Sequence, residues 1–116
     1  MAEEMVKVVV PVAKFRDYLF KPGATHGKNR VFERLGYSCG HSELLADIYR
    51  QQATVKYATG DYELGKSDEW GQRIHIEIVL SGIGYASGKV SYLKSGWMIK
   101  SDGSISLNTP FIGFAR

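Results

Sequence analysis

Residues Gln72–Leu80 read Gln-Arg-Ile-His-Ile-Glu-Ile-Val-Leu, and their alternation sets up the chemistry. On a strand, Ile74, Ile76, Ile78 and Leu80 fall on one face, while Arg73, His75, Glu77 and Val79 fall on the other. Side chains two apart on a strand stand roughly 6.6–7 Å from each other. The outward row therefore carries a guanidinium, an imidazole and a carboxylate in order. RNA cleavage without a metal needs these group types. A base removes the 2′-hydroxyl proton, an acid protonates the leaving 5′-oxygen, and a cation stabilises the charge gathered on the phosphorane. An imidazole, ordinarily titrating at about pH 6.5, can fill either proton role, and Glu77 can orient it or act as the partner base. The same residues also suit an ordinary polar outer face, where cross-strand pairing contributes only about 0.2–1 kcal/mol.

A second group is Thr25-His26-Gly27-Lys28-Asn29-Arg30, at the opening of an expected helix. Amides at a helix start, with Lys28 and Arg30 beside them, make a phosphate seat with His26 adjacent. The Gly-x4-Gly-Lys-Ser/Thr spacing of a phosphate-binding loop is missing, so a capped loop with solvated cations is the plainer reading. The closing strands supply Lys94, Ser95, Trp97, Asn108 and Thr109. Aromatic and basic side chains interleaved on a sheet can stack bases and hold phosphates, although Trp97 reads first as core. Trp70 lies in a polar stretch and is a candidate for contacting a partner. His41 precedes a helix and reads as a loop residue. Cys39, flanked by glycine and far from any base, reads as structural. There is no Gly-x-Ser-x-Gly elbow. One cysteine and three histidines, scattered along the chain, do not make a structural zinc site, and no metal is expected.

Three short helices and then strands must position these groups. Val12, Phe15, Tyr18 and Leu19 recur at helical spacing until Lys21-Pro22-Gly23 stops them. Val31, Phe32 and Leu35 form a second stripe, with Thr25 as a cap and Gly36 as the left-handed terminator. Ser42 is a good N-cap for a third helix carrying Leu44, Leu45, Ile48 and Tyr49 and fraying near Ala53. Thr54–Tyr57 reads as a short extended segment, and Thr59–Gly71 as a polar loop, long enough to be functional. Lys89–Lys100 is a strand, Asp102-Gly103 signals a type I′ hairpin, and Ser104–Thr109 returns. Pro110 ends the pairing or lies on an edge. Short turns between consecutive strands require antiparallel pairing. The expected fold is α+β: two to three N-terminal helices packed on the isoleucine face of a roughly four-stranded antiparallel sheet, the other face left to water or a ligand.

At 116 residues this is one domain, 1–116, with residues 1–11 read as a loose N-terminal arm. The chain is 44% hydrophobic and 23% charged, an ordinary globular balance that excludes disorder. Its longest apolar run, Val8–Ala13, is broken by Pro11, so neither a membrane span nor a secretory leader is expected. Net charge is +3, which mildly favours an anionic partner. Distribution matters more: Lys14–Arg34 holds six basic residues against Asp17 and Glu33, whereas acids gather between Asp61 and Glu77.

The combination Thr25-His26-Gly27-Lys28, Val31-Phe32, Leu35-Gly36, Gly71-Gln72-Arg73, Ser95-Gly96-Trp97-Met98-Ile99, Asp102-Gly103-Ser104 and Asn108-Thr109-Pro110-Phe111 resembles a small domain of polymorphic toxins. These domains form the variable C-terminal tips of contact-dependent growth-inhibition and Rhs-type proteins, and also occur as an uncharacterised stand-alone domain. The resemblance runs from about Lys14 to Arg116. It implies a toxin delivered, as part of a larger secreted protein, into the cytoplasm of a neighbouring cell and neutralised in its producer by an immunity protein; a stand-alone form would be cytoplasmic. It further implies a barnase-like or EndoU-like ribonuclease plan. Carried over by position, the catalytic set is His26, Lys28, Arg73 and Thr109, with Ser95 beside it; His75 and Glu77 come from the strand argument alone.

The leading expectation is thus a metal-independent ribonuclease acting on tRNA, without cofactor. His26, Lys28, Arg73, His75 and Thr109 would be catalytic, and Arg30, Glu77, Ser95 and Trp97 would hold substrate. That reading requires the separate segments to converge on one positive hollow. The alternative is a non-enzymatic protein-binding module of a mobile element or phage, in which Trp70 and Tyr62 form an exposed apolar patch. An immunity protein is disfavoured by the basic pI of about 9.0, since the partner of a basic nuclease is normally acidic.

Overall fold

The computed structural model describes residues 7–23 and 25–116. Five strands form one sheet: β1 (Val8–Val9), β2 (Glu63–Asp68), β3 (Gly71–Ser81), β4 (Val90–Ile99) and β5 (Ile105–Phe114), in the order β1-β5-β4-β3-β2. β2, β3, β4 and β5 run antiparallel to their neighbours, and β1 adds in parallel, Val8 opposite Ile105 and Val9 opposite Ser106. The sheet is therefore five-stranded and mixed, not four-stranded and antiparallel. The two strands not expected, β1 and β2, sit at edges, where two residues, or six mostly exposed ones, leave no alternating apolar signal. The loose arm expected over 1–11 falls outside the described residues at 1–6, and Val8–Val9 are strand.

The isoleucine row does what its spacing predicts. Ile74, Ile76, Ile78 and Leu80 are fully buried and join Leu93, Trp97, Ile105 and Leu107 from β4 and β5 in one core. A helical layer closes over this face. It contains a wide π-type turn at Lys14–Leu19, α1 (Asn29–Arg34), and a 3-10 turn at Cys39–His41 running into α2 (Ser42–Ala58). Phe15 meets Phe32 and Tyr49 edge-on, with ring centroids 6.4 and 5.0 Å apart, a geometry that adds to plain burial. The Tyr49 hydroxyl donates to the Pro110 carbonyl at 2.9 Å, tying α2 to β5, and burial pushes this phenol well above its ordinary pKa.

Several local expectations change. Thr25 does not cap α1, which begins at Asn29 with no side-chain cap. Ser42 lies inside α2 rather than at its cap, and Leu44 faces solvent. Thr54–Tyr57 is helix, because α2 continues five residues past the expected fraying point, to Ala58, and covers an open sheet edge. β2 stops short of β3's far end. There the Gln52 side chain acts as a strand substitute: its amide donates to the Val79 carbonyl (2.7 Å) and its carbonyl accepts the Val79 N–H (2.8 Å). One turn on, Lys56 Nζ donates to the Glu77 carbonyl at 2.5 Å. Satisfying these backbone groups outweighs the modest helix disfavour of Thr54 and Val55.

The polar stretch read as loop contains β2, whose pairing with β3 shifts between Leu64 and Ser67. The hairpin at Asp102-Gly103 is not type I′, since only Gly103 has positive φ (85°). Lys100 accepts from Gly103 N–H and donates to Ser104 O, the form of a type I turn followed by a left-handed glycine. Pro110 sits within β5, inside a register shift between Lys94–Gly113 and Gly96–Thr109, where a missing N–H is tolerated. Gly36 ends α1 as expected (φ 90°), and a Cβ there would also overlap the Ile83 carbonyl oxygen.

Candidate functional site

The helices leave the other sheet face uncovered, and strand register decides what stands on it. His75 lies opposite Gly96 of β4 and Glu63 of β2; Gly96 in turn lies opposite Thr109 of β5. Directly opposed residues share a face, so Glu63, His75, Gly96 and Thr109 form one row, with a gap at the glycine between imidazole and hydroxyl. The next row pairs Glu77 with Lys94 and then Gly113. Arg73, opposite Met98, stands on the other side of His75 and is exposed. Arg73, His75, Glu77 and Thr109 thus share one face, joined by Lys94.

Around His75 lies a hollow of about 290 Å³, lined by Asp61, Tyr62, Glu63, His75, Glu77 and Lys94 with Gly60 and Ala115 at its rim. Three carboxylates line it against the single ammonium of Lys94, so it is not the positive hollow expected. Glu63 and Glu77 are ion-paired, and Asp61 has no ion pair among the described residues. Lys94 Nζ is 3.4 Å from Glu63; Glu77 is 3.0 Å from the Arg116 guanidinium and 3.9 Å from Lys56 Nζ. Arg116 stacks on Tyr92, 4.2 Å from the ring centroid, and its bond to Glu77 raises the guanidinium pKa further. The site therefore presents an imidazole, two carboxylates and an ammonium to solvent from three adjacent strands. Proton transfer and anion stabilisation are within reach of such a set. Among the described residues, no group of three His, Cys, Asp or Glu side chains could hold a metal ion, and no helix is long and apolar enough to cross a membrane.

The remaining expected site residues lie elsewhere. Ser95 and Trp97 are in the core at 0% exposure, on the helix-covered face. Ser95 Oγ donates to the Ile76 carbonyl (2.7 Å) and accepts from Trp97 Nε1 (2.8 Å), so neither offers surface to a substrate. His26, Lys28 and Arg30 belong to the helical layer. His26 Nε2 is 3.0 Å from the Tyr18 carbonyl, its Nδ1 accepts the Lys28 N–H, and its ring lies 4.9 Å from that of Tyr18. Lys28 Nζ reaches the Tyr18 hydroxyl at 3.2 Å. These contacts knit a loop to the Lys14–Leu19 turn. The sheet stands between this cluster and His75, and the two share no hollow. Convergence of both histidines on one depression is not what the fold produces.

Lys94 and Glu63 are the partners that sequence reasoning did not bring to His75. Lys94 falls on the outward alternation of its strand, but only the register of β3 on β4 puts it beside Glu77. Glu63 lies in the segment read as loop. Trp70 is 74% exposed at the β2–β3 turn, whereas Tyr62 packs on Tyr57 (5.5 Å) at the other end of β2, so the two make no common patch.

Comparison with known proteins adds a fold and a family. No curated protein matches the chain. A chain in the solved structure of a contact-dependent growth inhibition toxin–immunity protein complex from Klebsiella pneumoniae 342 superposes with a TM-score of 0.60. It is 24% identical, over 87% of this chain and 89% of that one, a likeness that establishes a shared fold. The family model of the domain of unknown function DUF6883 matches residues 1–111, nearly the whole sequence, and the chain belongs to that family.

Proposed function

We propose that this chain is an antibacterial toxin domain that acts inside a target cell as a metal-independent endoribonuclease on tRNA, and that an immunity protein neutralises it in the producer. The observation that carries this reading is the opening of His75, Glu77 and Lys94 together into one hollow on the uncovered sheet face. The fold shared with a chain of a toxin–immunity complex supports the biological setting.

In the proposed reaction Glu77 takes the 2′-hydroxyl proton, the 2′-oxygen bonds to phosphorus, and the bond from phosphorus to the 5′-oxygen breaks. The His75 imidazolium gives its proton to that oxygen, leaving a 2′,3′-cyclic phosphate and a 5′-hydroxyl. Lys94 and Arg73 flank the imidazole and offset charge on the phosphorane, and the Thr109 hydroxyl offers a donor across the gap at Gly96. His26, Lys28 and Arg30 are not part of this centre.

Induction in a bacterial host tests the proposal. Wild type should arrest growth and yield tRNA fragments ending in cyclic phosphate, with cleavage unaffected by a chelator. His75→Ala should lose at least about a hundredfold in cleavage, the scale of one general acid, while unfolding at the wild-type temperature. Intact RNA from purified wild type across neutral pH would refute the enzymatic reading.

A further inference from the structure

A second, larger hollow of about 730 Å³ opens between α1, the 3-10 turn at Gly84–Ala86, and the adjoining ends of β4 and β5. Its size lies within the range of small-molecule sites. Three cations rim it: Arg30, Arg34 and Lys89. Among the described residues none of them has a carboxylate partner. The acid in the wall, Glu33, accepts a bond from Asn29 Nδ2 at 2.9 Å. The wall also shows two aromatic rings to solvent, Phe114 (57% exposed) and Tyr85 (80% exposed), the latter with its hydroxyl donating to the Glu33 carbonyl.

We infer that this hollow is a binding subsite for single-stranded RNA. Unpaired cations beside exposed rings match a polyanion that carries flat bases: phosphates take the guanidinium and ammonium groups, and bases stack on the rings. An apolar protein segment would leave three cations uncompensated. The chain also links this hollow to the one at His75. Phe114 lines the first and Ala115, the next residue, lines the second. Successive residues of an extended chain point to opposite faces, so the two hollows share a rim at the end of β5. One strand of RNA passing around that rim would lie in both. As a subsite of the ribonuclease the inference rests on the function proposed above; as an RNA-binding site it stands without it.

Binding of a fluorescein-labelled oligo(2′-O-methyluridylate), which has no free 2′-hydroxyl to attack, separates the two. Anisotropy titrations at several salt concentrations should show two signatures. The double variant Arg34→Gln, Lys89→Gln should bind more weakly, with the slope of log K against log salt shallower by about 1.4, two phosphate contacts at about 0.7 each. Phe114→Ala should bind about tenfold more weakly with the slope unchanged, the loss of one stacking platform. Arg50→Gln, an exposed cation of α2 that lines neither hollow, should bind like wild type. Arg34, Lys89 and Phe114 are exposed, and thermal unfolding of each variant checks that the fold is intact. Unaltered affinity and slope in both hollow variants would overturn the subsite even if wild type cleaves RNA, as would binding that these variants lose only for an acidic protein. Binding with both signatures but no cleavage would uphold the subsite and defeat the catalytic reading.

Discussion

At the residue scale, types and alternation said which side chains face which way, but not what each touches. Ile74, Ile76, Ile78 and Leu80 could be assigned to the core because burial of a whole row follows from period alone. Ser95 and Trp97 could not be separated from the working face, since a serine and a tryptophan suit either side of a sheet. The structure gives them a structural task. The Trp97 indole is fully buried and its N–H has Ser95 Oγ as acceptor. Ser95→Ala should therefore destabilise the fold by about 1–3 kcal/mol, the cost of stranding a buried donor, and leave RNA cleavage per folded molecule at the wild-type level. Urea unfolding beside an activity assay checks both. A loss of cleavage with undiminished stability would return Ser95 to the substrate.

At the element scale, legibility failed wherever tertiary pairing overrode local preference. Thr54–Tyr57 stays helical because Gln52 and Lys56 reach the open edge of β3, a reason that exists only once the sheet is built. β2 was hidden because an exposed edge strand needs no apolar face. The Asp102-Gly103 signal placed a turn correctly but not its type, because Asp102 keeps negative φ and uses its carboxylate instead. That carboxylate accepts from the Ser104 hydroxyl and N–H, bonds that hold its pKa below the ordinary 3.8. A depressed native pKa adds stability above the unfolded value, and that stability is withdrawn as pH falls through the native one. Asp102→Ala should thus be less stable than wild type from neutral pH down to about 5, and the gap should close in more acidic solution. Thermal unfolding followed across that range reads it directly; a gap that widened with acid would mean the hairpin draws nothing from the ionised carboxylate.

At the scale of the whole molecule the question is which side works, and the sheet makes it a question with two answers. The two histidines expected to be catalytic fall on opposite sides: His26 is bound into a helical-layer loop, and His75 stands on the bare face. Gly96 allows the bare face to be obstructed without touching a titratable group. A Cβ built there meets nothing nearer than 3.8 Å, its neighbours being Thr109 and Ile112, and its φ lies outside the left-handed region. Valine suits a strand better than glycine does, so Gly96→Val should fold with unchanged or higher stability while filling the gap between His75 and Thr109. If the bare face works, that variant should raise KM for RNA at least about tenfold, the scale of one lost near-contact geometry. His26→Ala, which removes the ties of this loop to the Tyr18 carbonyl and the Lys28 N–H, should then keep cleavage within about threefold of wild type and lower the unfolding temperature, consistent with two lost hydrogen bonds. The reverse pattern, an inert His26→Ala beside an active Gly96→Val, would move the chemistry to the cationic helical side. Steady-state cleavage by both variants, measured on equal amounts of folded protein, decides between the two faces without any assumption about the substrate's sequence.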